Sequence, residues 1–230
     1  RAPQARACLV NVPWREGVLA LTEHSSVAMV SNALKYTEDE WAELWELRPK
    51  EVQTCSFGVI RRRQGNFSDE DIPAYEFTGC KVKAEPLSKS RIVQRVLSDA
   101  RRREREANGE ANASRMNAVF ANWYMQQEKI GSHRDSEQGL VDGAPIYSYS
   151  LQPSGPPRQF NLKYDALSGI DKRLGIPKLS SVPTRRIKLP DRSLLIMQGQ
   201  TQREFKHEVP FLKHDSGLRI NLTVRAFQTH

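Results

Sequence analysis

This 230-residue sequence has few cysteines, no long apolar run and no repeat, and each absence narrows what the chain can be. The 3 cysteines, Cys8, Cys55 and Cys80, form no C-x-x-C pair and cannot all be paired within the chain. A secreted disulfide scaffold is therefore disfavoured, and an intracellular, reducing compartment is expected. No stretch approaches the about 20 consecutive apolar residues that a membrane-spanning helix needs, so a soluble, monomeric protein is expected. No Gly/Ser/Pro-rich linker divides the chain, and no low-complexity tract interrupts it. One well-buried domain is the simplest organisation at this length. No Ser-His-Asp or Cys-His arrangement stands out, which leaves nucleophilic catalysis without an evident carrier.

What is present begins with charge. Lys and Arg number 35 against 27 Asp and Glu, for a net +8, which suits a partner bearing phosphates without requiring one. Two helices are legible. Thr37 and Glu40 form a capping-box pattern, Trp41, Leu44 and Trp45 follow at helical spacing, and Pro49 ends the run. Over residues 89–106, Ile92, Val93, Val96, Leu97 and Ala100 make one apolar stripe among arginines. The run from Arg101 to Arg105 reads most simply as a solvated helix end. From Met116 onward the pattern shortens to alternating segments at 117–124, 145–151, 158–164, 185–190, 193–197, 205–209 and 218–227. Helices confined to the N-terminal half, followed by at least seven short strands, predict an α+β, mainly β fold with a two-sheet sandwich or jelly roll. Residues 165–184 are too long for a hairpin turn and predict a surface insertion.

The stretch 130-IGSHRDSEQG-139 carries the first chemical signal. On a strand, His133 and Asp135 would share a face, and His207 in 203-REFKHEVP-210 is a third candidate on another predicted strand. Two histidines and a carboxylate are the ligand set of non-haem Fe(II) oxygenases, although H-x-D with a distant histidine arises easily by chance. The run 219-RINLTVR-225 adds a second signal: Arg219, Asn221, Thr223 and Arg225 alternate with Ile220, Leu222 and Val224. Two inward arginines need an anionic partner, and a dicarboxylate would satisfy both; a surface strand with one polar face is the alternative.

Taken together, 119-VFANWY-124, 133-HRDSE-137, 144-APIYSYSL-151, 194-LLIMQGQTQREFKHEVP-210 and 219-RINLTVR-225 resemble the AlkB-type Fe(II)- and 2-oxoglutarate-dependent dioxygenases. Upstream, 73-PAYEFTG-79 and 61-RRRQGNF-67 are similar to weaker elements of that family. The resemblance covers roughly residues 40–228. It implies a double-stranded β-helix core over 116–230, helices and a nucleotide-recognition lid over 37–115, and an unassigned N-terminal extension over 1–36.

The resemblance also implies roles. His133, Asp135 and His207 would ligate Fe(II). Asn122 and Tyr124 would hydrogen-bond 2-oxoglutarate, Arg219 would pair with its distal carboxylate, Arg225 would lie near its metal-bound end, and Asn221 would help both, with Thr223 in support. Dioxygen is the remaining co-substrate, and the products would be succinate, carbon dioxide and a hydroxylated carbon. If that carbon is an N-methyl group on a base, formaldehyde leaves and the unmodified base remains. For the substrate, the resemblance implies Phe77 as a stacking aromatic bordered by Tyr75, and Glu137 as an acceptor for a base amino group. Arg61, Arg62 and Arg63 are placed for phosphate contacts, and Phe57-Gly58 for a hairpin tip. DNA or RNA is the expected partner, with a protein or small-molecule substrate as the alternative.

Overall fold

The computed structural model describes residues 17–55, 58–72, 74–77, 80–165, 184–212 and 217–229, with the side chains of 55, 75–77 and 80 outside that description. Two antiparallel-dominated sheets face each other. The larger runs in the order β1 (Val18–Ala20), β2 (Ser25–Val30), β14 (Leu194–Gly199), β11 (Ile146–Leu151), β16 (Arg219–Ala226), β9 (Met116–Tyr124), β5 (Arg63–Phe67), β8 (Ala84–Glu85). The smaller is β10 (Ile130–His133), β15 (Phe205–Val209), β12 (Arg158–Tyr164), β13 (Arg185–Leu189). Two hairpins stand apart, β3 (Gln53–Cys55) with β4 (Gly58–Ile60), and β6 (Tyr75–Phe77) with β7 (Cys80–Val82). The fold is mainly β with a jelly-roll core, as the strand pattern predicts. The insertion expected at 165–184 falls almost wholly on residues outside the description, between β12 and β13, which pair directly.

Helix α1 (Glu38–Glu46) starts on the predicted box: Thr37 Oγ1 accepts from Glu40 N at 3.2 Å, and Thr37 N donates to the Glu40 carboxylate at 2.9 Å. Helix α2 (Arg91–Asn108) is capped by Ser90 and ends at Gly109, whose φ of 88° is open only to glycine at low cost. Its stripe of Ile92, Val93, Val96, Leu97 and Ala100 is buried against the outer face of the larger sheet, among Val119, Ala121, Trp123, Ile220, Leu222 and Val224. At roughly 1.5–3 kcal/mol for each fully buried aliphatic side chain, this contact rather than helix propensity holds α2 in place. In the arginine run, Arg102 and Arg105 are exposed as a solvated end would have them, and Arg103 alone of the arginines is buried. Arg102 and Arg103 pair with Asp99, Arg103 is buried, Arg105 pairs with Glu110 on the short helix α3 (Glu110–Ala113), and Arg101 donates to Met116 O. The same helix face sends Asp99 and Glu104 to the hydroxyls of Tyr149 and Tyr147 at 2.8 and 2.7 Å.

Between the two sheets lies a second core of Val27, Ile146, Leu195 and Met197 against Phe160, Leu162, Phe205 and Val209. Strand alternation therefore gives β9 and β16 two buried faces: Val119, Ala121, Trp123 and Ile220, Leu222, Val224 toward α2, and Phe120, Asn122, Tyr124 and Arg219, Asn221, Thr223, Arg225 toward the smaller sheet. All eight residues of β16 are buried, which excludes the surface-strand alternative for its polar face. Gly65 on β5 makes room for this packing, since a Cβ there would meet the Trp123 ring at 2.9 Å. Strand β2, from the segment without an assignment in the sequence, pairs with β14 over six positions. Among the described residues, no helix is long and apolar enough to cross a membrane.

Candidate metal and co-substrate site

The site lies between the sheets, where β10 and β15 run antiparallel with His133 directly opposite His207. Their ring centroids are 4.3 Å apart. Strand β10 ends at His133, so Asp135 is placed by the loop that follows rather than by the expected strand alternation. Two contacts fix it: Asp135 N donates to Gln202 Oε1 at 3.0 Å, and Asp135 Oδ1 accepts from Arg225 Nη2 at 2.8 Å. Gln202 belongs to the one-turn helix α4 (Thr201–Glu204), and no sequence pattern marks it as part of the site.

Asp135 Oδ1 lies 3.6 Å from His133 Nε2, and Oδ2 lies 3.8 Å from His207 Nε2. One ligand atom from each residue falls within 4.8 Å of the others, close enough to hold a metal ion together. His133 Nδ1 is 2.8 Å from Gly131 O; because a carbonyl only accepts, Nδ1 carries a proton there and Nε2 is the ring nitrogen that faces Asp135. His207 is stacked on Phe160 at 5.2 Å, and burial, with His133 beside it, pushes its pKa down to about 3. It is thus neutral and ready to ligate at physiological pH. Burial opposes ionisation of Asp135, but Arg225, His207 and His133 outweigh it and hold the carboxyl well below the usual carboxylate range.

The adjoining cavity is lined by Asn122, Tyr124, Ser148, Arg219, Asn221, Thr223 and Arg225 together with the three candidate ligands. Arg219 is fully buried. Its Nη2 donates to Ser150 Oγ at 2.9 Å and its guanidinium lies 5.2 Å from the Tyr124 ring, but Nε and Nη1 meet no acceptor among the described residues. Burial pushes its pKa down to about 10. Arg158, buried nearby, is the contrast: it donates to the carbonyls of Gln126, Glu128 and Pro210, as a structural arginine should. Leaving charged donors unmet costs more than the roughly 1–3 kcal/mol of a neutral orphaned group, so Arg219 could take an anion at these two donors. Asn221 is a support, its amide donating to Ser148 Oγ and Tyr149 O at 2.9 and 2.8 Å.

The sequence matches the 2OG-Fe(II) oxygenase superfamily over residues 4–225. The chain belongs to that superfamily. Oxygenases of this group are defined by Fe(II) and 2-oxoglutarate, and the residues fit both: two imidazoles and a carboxylate for the metal, a buried arginine with two unmet donors for the dicarboxylate. Among curated relatives, the DNA oxidative demethylase ALKBH2 of Mus musculus is 30% identical over 167 residues, 72% of this chain and 62% of that protein. Its Bos taurus and Homo sapiens counterparts are 30% and 28% identical, with 53% and 56% of those proteins covered. The chain thus spans about half to three-fifths of the length of these relatives. Among solved structures, OsALKBH1 aligns with a TM-score of 0.54 at 17% identity, covering 91% of this chain and 100% of that one. An oxidoreductase of the 2OG-Fe(II) oxygenase family from Burkholderia pseudomallei aligns at 0.52 and 12% identity, covering 87% and 85%. Both show the shared fold.

The expected substrate residues distribute unevenly. Arg225 reaches two carboxylates, Asp135 and, through Nη1 at 2.6 Å, Glu137, so Glu137 is neither a free acceptor nor a surface carboxylate. Its Oε2 is buried and has no partner among the described residues. Of the three arginines expected at phosphates, only Arg61 faces solvent. Arg62 is buried with Nε donating to Asn122 Oδ1 at 3.0 Å, and Arg63 Nε donates to Pro49 O at 3.0 Å. Tyr75 and Phe77 form β6, but their side chains, and Phe57 as a whole, lie outside the described residues. On the rim, Arg134 and Lys206 share Asp165, and Lys163 pairs with Glu208.

Proposed function

We propose that the protein is an Fe(II)- and 2-oxoglutarate-dependent dioxygenase that oxidatively demethylates N-alkylated bases in nucleic acid, DNA foremost. The carrying observation is Arg219, a buried cation with two unmet donors in the same cavity as the His133, Asp135 and His207 cluster. In this reading His133, Asp135 and His207 hold the metal, while Arg219, Tyr124 and Asn122 hold the dicarboxylate. When bound, iron, 2-oxoglutarate and dioxygen supply the oxidation of a substrate C–H bond, with succinate and carbon dioxide as by-products.

The chain's own residues bind, orient and exclude water. The Gly131 carbonyl and Phe160 set the two imidazoles. Arg225 keeps Asp135 ionised, so no proton has to leave it when metal arrives. Asn221 and Thr223 line the cavity that would take the dicarboxylate, and Leu189, Met197 and Val209 add apolar surface to its walls. Once an N-methyl carbon is hydroxylated, its C–N bond breaks without help from a nucleophile, and formaldehyde leaves.

Three features favour a base as substrate: the likeness to proteins named DNA oxidative demethylases, the net charge of +8, and the buried Oε2 of Glu137, an acceptor for an exocyclic amino group. Within residues 37–115, which also hold the helices, the two hairpins would form the lid, Phe77 and Tyr75 would contact the extruded base, and Arg61 a phosphate. The test is incubation of Fe(II)-loaded protein with 2-oxoglutarate and a panel of methylated DNA and RNA oligonucleotides, read by mass for methyl loss and by succinate. Succinate formation without methyl loss from any oligonucleotide would overturn the nucleic-acid reading and leave a protein or small molecule as substrate.

A further inference from the structure

Arg62 is the one member of the 61–63 triplet that turns into the protein, and what it touches is a side chain of the co-substrate cavity. Its Nε–H donates to Asn122 Oδ1 at 3.0 Å. An arginine has no acceptor, so this contact fixes which end of the Asn122 amide faces it, and the Nδ2 donors become the opposite end. Those donors have no acceptor among the described residues, although Asn122 is buried and lines the cavity beside Tyr124, Arg219 and Arg225.

The neighbours of Asn122 do not make this choice. In register across the sheet, Asn122 stands between Gln64 on β5 and Asn221 on β16. The Asn221 amide is committed to Ser148 and Tyr149, and the Gln64 amide, buried, bonds to nothing among the described residues. Without Arg62 the two ends of the Asn122 amide would be nearly equivalent, and one of the two orientations would present a carbonyl oxygen to an incoming carboxylate. Arg63, bonded to the carbonyls of Pro49 and Lys50, anchors the backbone from which Arg62 projects.

We propose that Arg62 is a positioning residue for the dicarboxylate co-substrate: it holds the Asn122 amide with its N–H donors toward the cavity, rather than contacting nucleic acid itself. The inference rests on the reading that Asn122 hydrogen-bonds 2-oxoglutarate. It differs from a phosphate-contact role in what each predicts for binding. A positioning role is felt by the co-substrate and only while Asn122 is present, whereas a phosphate contact is felt by the oligonucleotide and is indifferent to Asn122.

The experiment is calorimetric titration of 2-oxoglutarate into Mn(II)-loaded wild type, Arg62→Ala, Asn122→Ala and the double variant, with oligonucleotide affinity measured on the same four proteins. Thermal melting checks folding, and Arg62→Met, which keeps the stem without the donors, replaces Arg62→Ala if the latter does not fold. We expect Arg62→Ala to weaken 2-oxoglutarate binding about tenfold, the worth of one hydrogen bond to a charged group, with no further loss in the Asn122→Ala background. Oligonucleotide affinity should be unchanged by Arg62→Ala. Independent, additive losses, or a loss confined to the oligonucleotide, would overturn the positioning role while leaving the co-substrate assignment standing. Unchanged 2-oxoglutarate binding in Asn122→Ala would overturn the assignment itself, and the positioning role with it.

Discussion

His133 and His207 face each other across a single antiparallel pair, β10 and β15, with their ring centroids 4.3 Å apart and Asp135 within 3.8 Å of both Nε2 atoms. Two imidazoles held this close by backbone pairing could act as a ligand pair without rearrangement. Replacing either histidine by alanine should lower Fe(II) or Mn(II) affinity by more than the ~10–100-fold that loss of a mere orienting partner costs. Metal titration of His133→Ala and His207→Ala checks this, and affinity within tenfold of wild type in both would refute the site.

The same burial has a pH signature in the metal-free protein. His207 stays neutral down to about pH 3 when folded, whereas an unfolded histidine takes up a proton near 6.5. The unfolded state therefore binds more protons as pH falls below about 6.5, and stability drops by up to ~1.4 kcal/mol per pH unit from this one residue. Asp135, depressed below the usual range, adds to the loss at still lower pH, with the same sign. Urea unfolding of apo protein at pH 7, 6 and 5 should show the decline, and His207→Gln should flatten it.

Arg219 carries a buried charge with two donors unmet among the described residues. Arg219→Met should leave the apo protein as stable as wild type or more so, because it removes buried unmet donors. It should retain metal yet weaken 2-oxoglutarate binding by roughly 10–100-fold, as expected for a lost charge-assisted contact. Thermal melts without co-substrate, beside calorimetry with it, separate the two effects; a strongly destabilised variant with normal co-substrate affinity would make Arg219 structural.

Glu137 shares Arg225 with Asp135, so its removal touches both substrate contact and ligand placement. For Glu137→Gln, which keeps an acceptor for Arg225 and changes the other end, we expect succinate formation to continue while methyl loss falls several-fold. The ratio of formaldehyde to succinate is the measurement, and an unchanged ratio would assign Glu137 to structure alone.

Gly199 closes the end of β14 with φ +63°, and a Cβ there would stand 2.1 Å from the carbonyl oxygen of His24. Gly199→Ala should destabilise the protein by roughly 2 kcal/mol or more, since strained backbone and a rigid carbonyl clash act together. A melting temperature within a degree or two of wild type would show that the β2–β14 junction yields.

Much of this molecule is local and therefore legible. The α1 box needs only Thr37 and Glu40 three residues apart, and the α2 stripe and the alternation in 219–225 need only period 3.6 and period 2. Strand β2 was not legible, because its place beside β14 depends on pairing across more than 160 residues. The arginine run on α2 suggests a solvated helix end, and the 61–63 triplet, just before a Gly-Asn turn, suggests phosphate contacts. The structure turns Arg103 and Arg62 inward: Arg103 meets Asp99 one turn earlier on its own helix, and Arg62 meets the Asn122 amide sixty residues on.

The sequence by itself determined the donor types: two histidines, one aspartate and two arginines on alternating positions, which restrict the chemistry because no other side chains offer those ligands and charges. Only the tertiary structure decided which charges are satisfied within the protein. Arg158 finds three carbonyls, Arg225 finds Asp135 and Glu137, and Arg219 keeps two donors unmet among the described residues. Burial and hydrogen-bond geometry are set by residues distant in the chain, and that is why identical guanidinium groups end with different partners.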